Sequence, residues 1–310
     1  MPRPVGVVVR SLIVMVAALT VVSHLGRLWW PFDLVANFRP QLILVAAVAV
    51  VGAVAGRRRP WIVAAAVVLV LDVAAVAPYL VGTARGVAEG ADTIEVVAFN
   101  VGISNPERAA AVAYLEAEDP DIVFLFESSF EWEDQIRRSD LELSFVVEVP
   151  EDRLAGVTVL ARPDIEPLPL PNPVTGEAAA LSIVLGTERV VVLGLHPPSP
   201  TTSDRAAARD RMLDTAAEWA ATRRGEIIVV GDLNASPWSH AFRNLRIEGR
   251  LVDSLRGRGL QPTWPAGWGP LMITIDHALH SEGLAVADRR TGPSLGSTHR
   301  PLIVRMGPAG

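Results

Sequence analysis

The sequence predicts an α/β (α+β) domain standing behind a membrane anchor, and three observations carry that expectation. Half of the 310 residues are apolar, yet the excess is confined to the first quarter of the chain. Beyond Gly82, short runs rich in Val, Ile, Leu and Phe alternate with turn residues, and helical patterns lie between some of them. No cysteine is present, so the domain must be held by its core without disulfides.

The anchor rests on three apolar runs, residues 7–26, 42–55 and 61–82. A helix needs about 20 apolar residues to cross ~30 Å of hydrocarbon. The first and third runs qualify, whereas the second needs its flanks or a locally thinner bilayer. A cleaved signal peptide is the competing reading of the first run, but its end, "TVVSHLG", offers no small-x-small cleavage site. Three retained transmembrane helices are therefore expected over residues 1–82. Arg3, Arg10 and the Arg57–Arg58–Arg59 cluster share one side, which the positive-inside rule makes cytoplasmic. Trp29 and Trp30 then fall at the outer interface, and everything after Gly82 is extracytoplasmic.

Residues 83–93, small, polar and glycine-containing, read as a linker to a domain over 94–310. Strands are expected at 94–99, 122–126, 145–149, 157–160, 181–185, 190–195, 227–230 and 301–304. Helices are expected after "SNPE" (104–107), which has capping-box spacing, and over 203–223. The proline-rich stretch 163–173 reads as a loop.

Charge bears on partners. Seven of the 28 basic residues and two of the 34 acids lie in residues 1–82, so 21 basic against 32 acidic residues leave the rest of the chain at −11. All the basic residues are arginine. A nucleic-acid partner, which needs a basic footprint, is accordingly disfavoured at the level of net charge.

Polar residues recur where apolar runs end: Asn100 after "IEVVAF", Glu127 after "DIVFLF", His196 after "VVVLGL", Asp232 and Asn234 in "IIVVGDLN", and Asp276 and His277 after "LMITI". A rigid strand that ends on a carboxylate, amide or imidazole is a good platform for chemistry. One acid after a strand is ordinarily a turn or cap residue, but five or six such ends make chance the poorer account. Oxygen donors without thiols suit a hard cation, Mg²⁺ or Mn²⁺, that also binds phosphate oxygens. The chemistry these parts imply is metal-assisted hydrolysis of a phosphate ester.

In order and spacing, "FNVG", "FLFE", "LHPPSP", "GDLNASPWS", "PTWP", "IDHALHS" and "STHRP" resemble the endonuclease/exonuclease/phosphatase superfamily, and most of all its bacterial membrane-anchored branch with three amino-terminal transmembrane helices. The resemblance covers residues 94–304. It implies a four-layer sandwich of two packed β-sheets covered by helices, and a Mg²⁺-dependent phosphatase or phosphodiesterase. It implies Glu127 as the principal metal ligand with Asn100 beside it, and Asp232 as the residue that positions or deprotonates water. Asn234 and His196 would contact phosphoryl oxygens, and His299 would act as acid/base or transition-state donor, oriented by Asp276. One position departs from the family pattern: Thr298 stands where Ser-Asp-His is usual, which implies altered metal binding more than lost chemistry.

The expected activity is hydrolysis of a phosphate ester or pyrophosphate, lipid-linked, at the outer face of the membrane. The partners are then the bilayer and a phosphorylated lipid. An extracellular nuclease and a non-catalytic membrane sensor are the alternatives. Among the remaining residues, Asp72 is expected to pair with a polar side chain of another helix such as His24. Trp238, Trp264 and Trp268 are expected in loop cores, Arg205, Arg209 and Arg211 on a solvated helix face, and His240 and His280 at the surface or an edge.

Overall fold

The computed structural model describes residues 3–82, 85–148 and 156–310. Its amino-terminal part is helical: α1 (Arg3–Ser23), α2 (Trp30–Ala36), α3 (Arg39–Ala55) and α4 (Arg59–Leu80). Pro31, Pro40 and Pro60 each fall in the first turn of a helix, where a missing N–H costs nothing.

Among the described residues, two helices, over Gly6–Ser23 and Arg59–Leu80, are long and apolar enough to cross a membrane. The third expected span differs: α3 has 17 residues and meets α2 at a 69° bend, so a third crossing exists only if the bent pair counts as one. Two causes account for the break. Seventeen residues rise only about 25 Å, and in a continuous helix Pro40 would clash with the carbonyl of Ala36.

Inside this bundle Asp72 is fully buried and accepts hydrogen bonds from Thr20 Oγ1 at 2.7 Å and Arg39 Nη1 at 3.2 Å. Thr20 and Arg39 thus hold the hydrogen-bonding place the sequence suggested for His24. A buried carboxylate needs such partners to stay in a low-dielectric interior.

Among the described residues, the remainder builds two six-stranded mixed sheets. The first, in the order β11-β12-β1-β2-β4-β3, comprises β1 (Ile94–Asn100), β2 (Ile122–Ser128), β3 (Ser144–Val147), β4 (Gly156–Ala161), β11 (Leu284–Thr291) and β12 (Leu302–Pro308). The second, β5-β6-β7-β8-β10-β9, comprises β5 (Leu168–Leu170), β6 (Glu177–Leu185), β7 (Glu188–His196), β8 (Glu226–Asp232), β9 (Val252–Asp253) and β10 (Asp276–His280). Each sheet has one parallel pair, β1/β2 and β7/β8, joined through a helix: α5 (Arg108–Glu118) and α7 (Ser203–Thr222).

Alternation along the strands makes four layers. Val96, Phe124 and Ile122 face Leu181, Val192 and Ile228 between the sheets. Val97, Phe99 and Leu125 turn outward to α5 and α6 (Phe130–Arg137), while Leu193 and Val229 pack on α7 and α8 (His240–Glu248). The sheets approach so closely at Gly194 that a Cβ there would lie 2.2 Å from Phe124 Cδ1.

Several local expectations change. The proline-rich stretch contributes β5, an edge strand, which is where a strand tolerates Pro169. Ser104 does not cap α5; Asn105 Oδ1 instead accepts from Glu107 N at 2.8 Å. Of the expected strand 145–149, the structure places β3 one residue earlier and Val149 lies outside the described residues, as do Thr83 and Ala84 of the linker. The rest of the linker is tied down, since Ala88 N donates to Pro308 O and Val87 bridges Ala309.

Candidate active site

Strand direction gathers the polar ends. Because β1 and β2 run parallel, Asn100 and Glu127 emerge together; because β7 and β8 do, so do His196 and Asp232. Asp276 arrives from the opposite sense. The apolar run 271–275, which the sequence was expected to end on Asp276 as a strand, does not form one; β10 starts at Asp276 itself and pairs antiparallel with β8 in the register Asp276↔Asp232. The preceding residues are held by the "PTWP" turn: Thr263 Oγ1 accepts from the N–H groups of Ile275 and Asp276, each at 3.3 Å.

Asp232 is the hub. Its Oδ2 accepts from Asn100 Nδ2 at 3.1 Å and lies 3.6 Å from His196 Nε2 and 3.5 Å from His299 Nε2. Asn100 Nδ2 also donates to Glu127 Oε1 at 3.0 Å, and Glu127 Oε1 is 3.7 Å from His196 Nε2. The Asn100 amide therefore presents its nitrogen to both carboxylates, its oxygen being taken by Gly102 N. Glu127 adopts φ +54, a left-handed backbone that a residue with a long side chain takes only when its surroundings dictate it.

Each imidazole has a second carboxylate behind it. His299 Nδ1 contacts Asp276 Oδ2 at 3.0 Å, and His196 Nδ1 contacts Glu177 Oε2 at 2.6 Å. Burial alone would keep the His299 ring neutral, but the carboxylates of Asp276 and Asp232 outweigh it and raise its pKa to about 9. His196 is balanced in the same way: burial opposes protonation, and the Glu177 hydrogen bond, with Asp232 and Glu127 beyond it, holds the ring above the usual histidine value. His277 is the contrast. Burial, aided by Arg289, lowers it to about 3, and its Nε2 lies 2.8 Å from Ala235 O, so it is a neutral core residue.

The backbone supports these side chains. Ser297 Oγ donates to Asn100 O at 2.6 Å and accepts from His299 N at 3.0 Å, tying the last motif to the first. Asn234, at φ +49, folds back so that its N–H meets Asp232 Oδ1 at 3.0 Å and its Nδ2 meets Pro197 O at 3.1 Å. Gly231 is required just before Asp232, since at φ +141 a Cβ there would lie 2.0 Å from Leu195 O.

The donor set fits a divalent cation. Asp232, Asp276 and His299 offer ligand atoms that all lie within 4.8 Å of one another, and Asp276 Oδ1 is buried without a hydrogen-bond partner. Four carboxylates (Glu127, Glu177, Asp232, Asp276) face two imidazoles, so the group keeps an excess of negative charge even with both rings protonated. Oxygen-rich, negatively charged clusters of this kind suit Mg²⁺ or Mn²⁺.

The family described as "Endonuclease/Exonuclease/phosphatase family" matches residues 97–299. This chain belongs to that family. Family members are metal-dependent phosphoesterases and nucleases. Among solved structures, D. rerio TDP2 complexed with single strand DNA product is similar at 14% identity and a TM-score of 0.58, covering 69% of this chain and 99% of that one. TDP2 from C. elegans has 16% identity and a TM-score of 0.56, covering 71% and 77%. The endonuclease/exonuclease/phosphatase from Beutenbergia cavernae DSM 12333 has 18% identity and a TM-score of 0.51, covering 71% and 72%. Likeness at these identities is likeness of fold. No curated protein matches the chain.

The site opens into a cleft of about 1270 Å³ reached by Glu127, His196, Asp232, Asn234, Thr298 and His299, with Asn100 and Asp276 buried behind them. Trp264 is 36% exposed and lines this cleft, and Trp268 is exposed, so of the three tryptophans only Trp238 sits in a core as expected. Arg205 and Arg211 are exposed at the cleft, whereas Arg209 is buried, as is His280. Sequence reasoning missed Glu177 and Thr263. Glu177 was within reach: counting back from the "LGTE" hairpin turn pairs it with His196, which is the observed register.

Proposed function

We propose that this chain is a divalent-metal-dependent phosphoesterase, tethered by its apolar helices at the outer face of a bacterial membrane, that hydrolyses a phosphate ester or pyrophosphate carried on a lipid. The observation that carries this reading is the cleft itself. Its floor holds the Asp232, His196 and His299 cluster, while Trp30, Leu34 and Phe38, from α2 and the bend after it, form part of its wall. An apolar wall supplied by the helical region, next to a phosphate-directed polar floor, suits a substrate with a hydrocarbon chain and an anionic head.

Glu127 and Asp232, whose oxygens share the Asn100 amide, would hold the cation, with Asp276 and His299 grouped beside Asp232. When bound it supplies a Lewis acid for a phosphoryl oxygen and lowers the pKa of a water. The residues themselves do the rest. Asp232 Oδ2 orients the attacking water and takes its proton as the new P–O bond forms. His299, oriented by Asp276, whose carboxylate favours the protonated ring, gives its Nε2 proton to the ester oxygen as the old P–O bond breaks. His196 Nε2 and the second N–H of Asn234 Nδ2 are donors for charge growing on the phosphoryl oxygens.

The test uses the full chain in detergent or nanodiscs with Mg²⁺ or Mn²⁺, offered prenyl pyrophosphates, phospholipids and single-stranded DNA. Phosphate or headgroup release that Glu127→Ala abolishes supports the proposal. Robust DNA cleavage without lipid hydrolysis makes the chain a nuclease. Inertness on every substrate, with full biological effect retained in Asp232→Asn and His299→Ala, makes it a sensor.

A further inference from the structure

The most unusual buried charge outside the site is Arg209 on α7, 1% exposed and 176 residues away in sequence from its partner. Its Nη2 donates to Asp33 Oδ2 of α2 at 2.9 Å, its Nε to Asp210 Oδ1 at 2.8 Å, and its Nη1 to the backbone carbonyl of Asn234 at 3.2 Å. One guanidinium therefore joins a helix of the anchor region to the loop that carries a candidate catalytic amide. Asp33 is itself 3% exposed, and its other oxygen accepts from His240 N at the start of α8. Four residues on, Asn37 Oδ1 accepts from Ser236 N at 3.1 Å. At the far end of the same loop, Trp238 Nε1 donates to Ala75 O of α4 at 3.1 Å and its ring meets Tyr79 edge-on at 5.5 Å.

We propose that the anchor is a working part of the active site: Asp33, acting through Arg209, and Asn37, acting directly on Ser236 N, position loop 233–239 and hence Asn234 against Asp232. Arg209 is a positioning residue in this scheme. Asn234 sits at φ +49, a left-handed backbone open to Asn but not its lowest-energy conformation, so contacts on its carbonyl and neighbours help to fix it. From the core side the loop is held by Leu233 N on Ile275 O, His277 Nε2 on Ala235 O, and the Asn234 N–H and side chain on Asp232 and Pro197 O, which leaves the Asn234 carbonyl to Arg209 and the Ser236 N–H to Asn37. Gly26 fits the same picture, since a Cβ there would lie 2.6 Å from Asp33 Oδ1 and 3.1 Å from Asp33 Cα, so α2 is seated against that turn as closely as backbone allows.

A buried ion pair that merely glued two regions together would tolerate lysine in place of arginine, because the charge is kept. A positioning fork would not, because an ammonium lacks the planar donors that hold Asp33 and Asn234 O at once. The proposal rests on the phosphoesterase reading only for its kinetic readout, so two measurements are made on the full chain in nanodiscs. Hydrogen exchange reads the amides of 233–239 in wild type, Arg209→Lys, Asp33→Asn and Gly26→Ala. Turnover of a small water-soluble aryl phosphodiester or monoester with Mg²⁺ reads kcat and KM separately.

The expected result is faster exchange confined to 233–239 in all three variants, with strands β7 and β8 unchanged, and kcat lowered about tenfold or more at a KM within a factor of two of wild type. Unchanged loop protection, or an Arg209→Lys variant with wild-type kcat, overturns the proposal. If wild type hydrolyses no ester, the phosphoesterase reading fails while the exchange measurement still decides the positioning claim. Unchanged exchange in β7 and β8 guards against misfolding as the cause, and Gly26→Ala unseats Asp33 without removing a charge.

Discussion

His299 stands between two carboxylates: its Nδ1 is 3.0 Å from Asp276 Oδ2 and its Nε2 is 3.5 Å from Asp232 Oδ2. The first contact fixes the ring, and both carboxylates favour its protonated form against burial. Asp276→Asn keeps the shape and removes the charge. It should lower kcat about 10²-fold or more and move the basic limb of the pH–rate profile to lower pH. A profile unchanged in position would mean that Asp276 does not tune His299.

Linkage gives a second expectation, for the metal-free protein. The folded pKa of His299 is raised to about 9 from the ordinary histidine value of 6.5. The stabilisation it contributes is therefore complete below about pH 6.5 and is lost as pH rises through about 9. Denaturant midpoints measured in EDTA should fall across that window in wild type, and the fall should shrink in His299→Gln. Added Mg²⁺ should oppose the ring's protonation and move the loss to lower pH.

Glu177 makes the corresponding contact with His196 at 2.6 Å. Glu177→Gln should bring the His196 pKa down, because burial then prevails over the remaining carboxylates, and should cost activity about tenfold. Ring proton shifts followed through a pH titration would check the first, and kcat the second. An unshifted ring would assign Glu177 a purely structural part.

Thr298 is exposed at the cleft beside His299, and its carbonyl accepts from Ala266 N at 2.7 Å. Its side chain therefore can change without disturbing that loop. Thr298→Asp should lower the Mg²⁺ concentration needed for half-maximal activity while leaving kcat within a few-fold. An inert wild type with an active Thr298→Asp variant would show that the missing acid is decisive.

The strand ends were readable because each apolar run stops at a polar residue, and parallel pairing does the rest for Asn100 with Glu127 and for His196 with Asp232. What eluded the sequence is relational. Asp276 reaches the site from the start of β10, because Thr263 holds the residues before it away from the sheet, and no local pattern encodes a hydrogen bond across 13 positions. Arg209 looks like a solvated helix residue until α2 folds over it, and the bend that allows this depends on Pro40 and a helix too short to span alone. For the same reason, residues 94–310 expressed without the helices should be poorly behaved, with Arg209 deprived of its buried partner Asp33 and Trp238 uncovered. Lower solubility and a depressed thermal midpoint relative to the full chain would be the observable signs.

The most direct measurement is phosphate release from lipid phosphates and pyrophosphates by the full chain in liposomes, with and without Mg²⁺, compared with Asp232→Asn and Glu127→Ala. The account predicts release that EDTA stops and that each variant lowers by about two orders of magnitude or more. Release unaffected by EDTA or by Glu127→Ala, or no release from any lipid while DNA is cleaved, would contradict it.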